Sequence, residues 1–197
     1  MQKQSLTDRE LVVAFHQGNE HAFAELLSRH KSKVYTAIYM FTKDRFIAED
    51  IFQETFIKAV NKIKAGLYNE EDKFLPWVQR IAHNLCIDYY RRAKRMPKVT
   101  TQDGFDIFSV LPLADKDIQT KIIKAEEHQH VRDLLERLPA EQKEVVILRH
   151  YADLSFKEIA DLTGVSINTA LGRMRYALIN MRRMMTDKKV SVSALKN

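Results

Sequence analysis

The chain has 197 residues, with 32 Lys and Arg against 26 Asp and Glu and a formal charge of +6 at neutral pH. That length fits one or two small domains, and the positive balance suits a polyanionic partner. An apolar fraction of 45% argues against disorder throughout, and 5 Gly with 4 Pro fall far below average usage, which speaks against a turn-rich sandwich or barrel and for long helices.

Cys86 is the single cysteine, so a disulfide framework and a zinc ribbon are excluded. No apolar run approaches the roughly 18 residues of a membrane span. The opening MQKQSLTDRELVV lacks the basic-apolar-small order of a signal peptide. The expected setting is a reducing cytoplasm, without membrane insertion.

Apolar residues at helical spacing run from Asp8 to Arg95. Asn19 suits the N-cap of a helix that turns Ala22, Phe23, Leu26, Leu27, Val34 and Ile38 inward. In AEDIFQETFIKAVNKI, Ala48, Phe52, Phe56, Ala59 and Ile63 share the core face. Asp50, Gln53, Glu54, Ile57 and Lys58 share the opposite one. Ile57 within that acidic stripe reads either as part of a partner site or as one of the single exposed apolar residues that protein surfaces carry.

The next helix, PWVQRIAHNLCIDYYRRAKR, tolerates Pro76 in its first turn. Phe74, Val78, Ile81, Ala82, Leu85 and Tyr89 form its core side, with Cys86 at the core's edge. Trp77, Arg80, Asn84, Asp88, Arg91 and Arg95 lie on the other side. An aromatic ring with Asn and Arg beside it suits unstacked bases and the phosphates between them. Burial of Trp77 beneath the preceding helix is the alternative. Arg80 to Lys98 holds six basic residues against Asp88 alone, which marks a first basic patch.

PKVTTQDGFDIFSVLPLADKD follows, with Pro97, Pro112, four aspartates and no sustained period, and reads as a linker. Helical spacing returns near Ile118 and continues to about Met185, broken at Pro139. The expected architecture is all-α. Two small helical domains, residues 1–97 and 128–197, are joined by a flexible acidic linker, residues 98–127.

In the second domain Ser155 and Glu158 fit a capping box, and Gly164 stands where a helix needs a left-handed residue. Ser166 can cap the next helix. Helix, Gly turn and helix at this spacing predict a helix-turn-helix. On its second helix Ile167, Ala170, Leu171, Met174, Leu178 and Met181 share the core side. Asn168, Thr169, Gly172, Tyr176 and Arg183 face away, flanked by Arg173 and Arg175. Asn and Thr can read base edges, the flanking Arg can reach phosphates or guanine, and Gly172 would let the backbone approach DNA; an ordinary helical hairpin with a solvated face is the alternative. Val165 to Asn197 holds seven basic residues against Asp187 alone, a second basic patch. The two patches suit two contact points on one polyanion or, alternatively, two solvated helix ends, where cations are favoured.

The seven histidines lack a metal-ligand spacing with carboxylates, there is no Gly-rich phosphate loop, and Cys86 has no evident base. The expectation is a non-catalytic protein without cofactor or metal.

DIFQETFIKAV, FLPWVQRIAHNLCIDYYRR and LPAEQKEVVILRHYADLSFKEIADLTGVSINTALGRMRYALINMRR, in that order, resemble a bacterial sigma-70 family factor of the short extracytoplasmic-function (ECF) type. The resemblance covers roughly residues 8–97 and 128–186. It implies a promoter-specificity subunit of RNA polymerase. Asp50, Gln53, Glu54 and Ile57 would dock on the clamp helices of the largest core subunit. The loop GLYNEEDKF and the helix after it would face the melted −10 element, through Trp77, Arg80, Asn84, Arg91, Arg92 and Lys94. The linker would thread toward the active-site cleft, with Asp103 and Asp106 in the template-strand path. Ser166, Asn168, Thr169, Gly172, Arg173 and Tyr176 would contact the −35 duplex. Family members commonly have a basic residue and then Ser where this chain has Leu171 and Gly172, so its −35 contacts depart from the usual pattern. The implied partners are core polymerase and promoter DNA, and the family leaves room for an anti-sigma factor. The rival reading is a helix-turn-helix repressor or response regulator that works without being a polymerase subunit.

Overall fold

Thr7 and Glu10 close a capping box ahead of helix α1 (Asp8–His16). The Thr7 N–H and hydroxyl both donate to the Glu10 carboxylate, at 2.7 and 2.9 Å, and hold it below its ordinary pKa. The computed structural model describes residues 6–69, 73–95 and 131–194, with side chains described as far as 93 in the second span and 186 in the third. The expected linker, with Lys98, Asp103 and Asp106, lies outside the described residues, as does the side chain of Lys94.

Asn19 caps α2 (Glu20–Thr42) by accepting the His21 N–H at 3.1 Å. Asp44 caps α3 (Arg45–Lys64) by accepting the Ile47 N–H at 3.0 Å. Helix α4 spans Phe74–Arg95. In the second half α5 (Ala140–Val146) begins directly after Pro139 and runs into a π-helical turn, Ile147–Tyr151. Helices α6 (Phe156–Thr163) and α7 (Ile167–Ala194) follow. No strand occurs among the described residues.

These residues divide into two compact units. The first holds 6–69, 73–95 and 150–154, and the second holds 131–149 and 155–194. In the first, α2 packs against α1, α3 and α4. Leu26, Val34, Ile38, Met40, Ile63, Phe74 and Val78 are buried there. Phe15, Phe23, Phe56 and Phe52 form a continuous aromatic chain with centroid spacings of 4.9, 6.2 and 4.9 Å. Such ring pairs add about 0.5–1.5 kcal/mol each beyond their buried area. Asp8 ties α1 to α2 by accepting from Arg29 Nη1 at 3.1 Å and lying 2.6 Å from His30 Nε2. Cys86 sits inside the core rather than at its edge.

In the second unit α5 and α6 both pack on α7. The capping box at Ser155 and the left-handed Gly164 (φ 68°) form as the sequence predicts, and they fix the turn between α6 and α7. The core side of α7 is narrower than its apolar pattern suggests. Ala170 and Ala177 are buried, with Met174 and Met181 half-buried beside them. That set repeats every seven residues. Ile167, Leu171 and Leu178 lie less than a third of a turn away and are exposed, Leu171 at 43%. The expectation that these three belong to the core is corrected. Alanine on the seam lets the backbones approach closely, and α5 and α6 cover only that strip. Leu171 and Leu178 instead line an apolar groove of about 480 Å³ with Phe156, Met174 and Ile179.

Candidate docking face and nucleic-acid interface

Phe52 and Phe56 turn α3 inward, and this places Asp50, Gln53, Glu54 and Ile57 in solvent, Ile57 at 59%. Glu54 pairs with Lys58 at 2.9 Å along the helix. Sequence reasoning missed Phe46, which is 78% exposed. Residues 46, 50, 53 and 57 follow one stripe by i+4, i+3, i+4 spacing, so the helical spacing that puts Asp50, Gln53 and Ile57 on one face also puts Phe46 there. The stripe is acidic and amide-bearing in the middle and apolar at both ends. Interfaces whose affinity rests on apolar anchors with polar selectivity have this composition.

Trp77 does not join the exposed side of α4. It is 7% exposed, packed edge-on to Tyr68 with centroids 4.8 Å apart and tilted to Phe74 at 6.1 Å. The reading of Trp77 as a stacking platform for unpaired bases therefore gives way to the core alternative. Tyr68, from the loop after α3, covers the ring. Of the other expected −10 residues, Asn84, Arg91 and Arg92 are exposed and Arg80 is half-buried. Arg80, Asn84 and Arg91 share one face of α4. Arg91 Nη1 lies 3.8 Å from the Asp88 carboxylate, and Arg92 Nε donates to the Asp88 carbonyl at 3.4 Å.

Beside the same loop lies a cleft of about 420 Å³, lined by Arg9, Val12, His16, Ile63, Tyr68 and Asn69 among others. Its volume falls within the range of small-ligand sites. His16 Nδ1 is 2.9 Å from the Ile63 carbonyl. A carbonyl only accepts, so Nδ1–H donates and Nε2 of the neutral ring is left as an acceptor. His16 was not singled out in the sequence, because its partner is 47 residues away.

On α7, Asn168, Thr169 and Tyr176 are exposed, with Gly172 and Arg173 half-buried between them. Ser166 caps the helix by accepting the Thr169 N–H at 3.0 Å. A Cβ added at Gly172 would meet nothing within 4 Å. No internal packing requires glycine there, so Gly172→Ala should stabilise the unit by about 0.5–1 kcal/mol. Thermal melting checks this, and an unchanged or lower midpoint would show that the helix gains nothing from the methyl.

Cys86 is buried, and that burial pushes its thiol up to about 12. It is protonated at neutral pH and packs as a small apolar group. Among the described residues no three His, Cys, Asp or Glu side chains converge as a metal site. No helix among them is long and apolar enough to cross a membrane.

The family pattern "Sigma-70 region 2" matches residues 26–96, and "Sigma-70, region 4" matches residues 128–175. The Bacillus subtilis protein named RNA polymerase sigma factor SigV is 30% identical over 168 residues, 84% of this chain and 92% of that one. The ECF RNA polymerase sigma-E factor of Haemophilus influenzae is 29% identical over 189 residues, 94% of this chain and 96% of that one. Among solved structures, CnrH in complex with the cytosolic domain of CnrY shares the fold with a TM-score of 0.64 at 24% identity, covering 91% of this chain and 97% of that one.

Proposed function

This chain belongs to the sigma-70 family, as a factor of the ECF type that directs RNA polymerase to promoters, and from that premise we propose which of its faces do each part of the work. The observation that carries the proposal is that one chain bears both an exposed acidic stripe on α3 and a capped recognition helix, α7. A repressor needs only the second.

Residues 1–97 form the polymerase-docking and −10 domain, and residues 128–197 form the −35 domain. Asp50, Gln53, Glu54 and Ile57, with Phe46 beside them, dock on the clamp helices of core polymerase. Arg80, Asn84, Arg91, Arg92 and Lys94 run along the melted −10 strand. The cleft walled by Arg9, His16 and Asn69 accepts an unstacked base beside them, and the captured bases offset a melting cost of a few kcal/mol. Asn168, Thr169 and Tyr176 face the −35 major groove, where Gly172 permits close approach. The protein's own role is non-catalytic. An anti-sigma partner that covers the docking stripe belongs to the same reading.

Run-off transcription with core polymerase on a genomic promoter pool tests it. Discrete start sites should appear only when the chain is added, and an unchanged transcript pattern would refute the assignment. Within the −35 contacts, Arg173 lies at the edge of the exposed face. Arg173→Ala should weaken binding across sequences and reduce the salt slope of holoenzyme binding by about one unit. Loss of preference at a single base pair, with the slope intact, would make Arg173 a base reader instead.

A further inference from the structure

Most threonines in these helices use their hydroxyls one way. Thr42, Thr55, Thr163 and Thr186 each donate to the carbonyl four residues earlier, at 2.7 to 3.1 Å. A carbonyl only accepts, so the threonine's single proton is consumed inside the helix. Thr169 is arranged differently. Its Oγ1 lies 2.9 Å from the hydroxyl oxygen of Ser166, and that same oxygen accepts the Thr169 N–H at 3.0 Å. Both side chains are exposed.

Either hydroxyl can donate in this contact, and Ser166's other bond favours one direction. A hydroxyl oxygen that already accepts a hydrogen bond is polarised and becomes a better donor. In the favoured direction Ser166 gives its proton to Thr169 Oγ1. In that arrangement Thr169 keeps its own proton for an acceptor outside the helix. A threonine in a helix divides between two χ1 wells, and the Ser166 contact selects one of them before DNA arrives.

The geometry points to Ser166 as a positioning residue that presents the Thr169 hydroxyl as an outward donor, so that α7 favours an acceptor-bearing base edge at one position of the −35 element. This rests on the reading of α7 as the −35 helix. In the major groove the acceptors are purine N7, guanine O6 and thymine O4, whereas cytosine offers an amino donor. The base at that position is one whose contacted edge accepts, and cytosine is selected against by about three- to tenfold, the worth of one neutral hydrogen bond.

Two substitutions separate this role from simple capping. Ser166→Asp keeps a good N-cap, but a carboxylate only accepts. It takes the Thr169 proton and leaves Thr169 presenting lone pairs. Ser166→Gly removes the hydroxyl at a capping loss of only a few tenths of a kcal/mol. The experiment reconstitutes holoenzyme from core polymerase and the full chain. It measures relative affinity on a wild-type-selected promoter in which each −35 base pair is replaced in turn. Uniform losses, including repulsion of DNA by the new carboxylate, divide out of each variant's profile.

Ser166→Asp should shift the preference toward cytosine at one position, and Ser166→Gly should flatten that position. Thr169→Val should flatten the same one, with circular dichroism showing every variant helical. Three outcomes overturn the inference. If Thr169→Val changes one position and the Ser166 variants leave it as in wild type, the positioning role fails alone. If the Ser166 variants alter a different position, Ser166 reads a base itself. If Thr169→Val alters no position, Thr169 is not a base reader, and that part of the −35 assignment fails with the inference.

Discussion

Lysine at both Gln53 and Glu54 should abolish recovery of core polymerase while leaving the chain folded. Both residues are exposed, and Glu54 forfeits only its pair with Lys58 on the same helix. Exposed i,i+4 pairs contribute about 0.3–0.5 kcal/mol, and exposed substitutions usually stay within about 0.5 kcal/mol. The clamp surface expected of the family is basic. The reversal therefore sets like charges against each other across an interface, at several kcal/mol, or about a hundredfold or more in affinity. Pull-down of polymerase by wild-type and reversed chains, with circular dichroism on both, checks this. Direct binding of the same variant to free duplex DNA should be little changed, because α7 is untouched. Equal recovery of polymerase by the two chains would sink the docking assignment. A repressor, whose work needs no polymerase contact, would keep full function after the reversal.

Trp77→Ala should destabilise the first unit by about 3–5 kcal/mol, the usual loss for removing a buried large aromatic. The ring has Tyr68 edge-on at 4.8 Å and Phe74 at 6.1 Å, and both would face a cavity. Domains of this size have only about 5–15 kcal/mol to lose. With a midpoint shift of about 4–8 °C per kcal/mol, melting should fall by well over ten degrees. Trp77→Phe keeps a ring in the site and should lose distinctly less. A Trp77→Ala chain that melts with the wild type would show that the buried ring contributes little. The same scan would then reopen its assignment to DNA.

Trp77, which the sequence left open between a base-facing and a core position, and Leu171, expected in the core with Ile167 and Leu178, were decided by the same thing. A helical period gives the angle of each side chain but not what covers it. Trp77 shares an angle with Arg80 and Asn84, yet Tyr68 arrives from a loop and buries it. Leu171 lies about 60° from Met174 on the wheel, yet α5 and α6 cover only the alanine strip. Features governed by neighbours within four residues were legible. Asn19 as cap, the Ser155–Glu158 box, Gly164 in the left-handed region and the break at Pro139 all follow from local hydrogen-bonding and steric rules. The acidic stripe was legible too, because Phe52 and Phe56 define the inward side of α3 without any partner. The cleft beside His16 was not, since it joins α1 to the end of α3 through a contact with Ile63. The π turn at Ile147–Tyr151 carried no signal that periodicity could detect.

The burial of Cys86 bears on how this protein meets oxidants. Peroxide and disulfide exchange both act on an accessible thiolate. Here the chain's one sulfhydryl is sealed in the core with its proton held to about pH 12. In the native state the thiol is therefore chemically silent, and its alkylation requires α4 to open. The rate at which a thiol reagent labels Cys86 becomes a clock for that opening, set by the free energy of local unfolding rather than by sulfur reactivity. A redox stimulus would therefore not reach the native chain through its thiol.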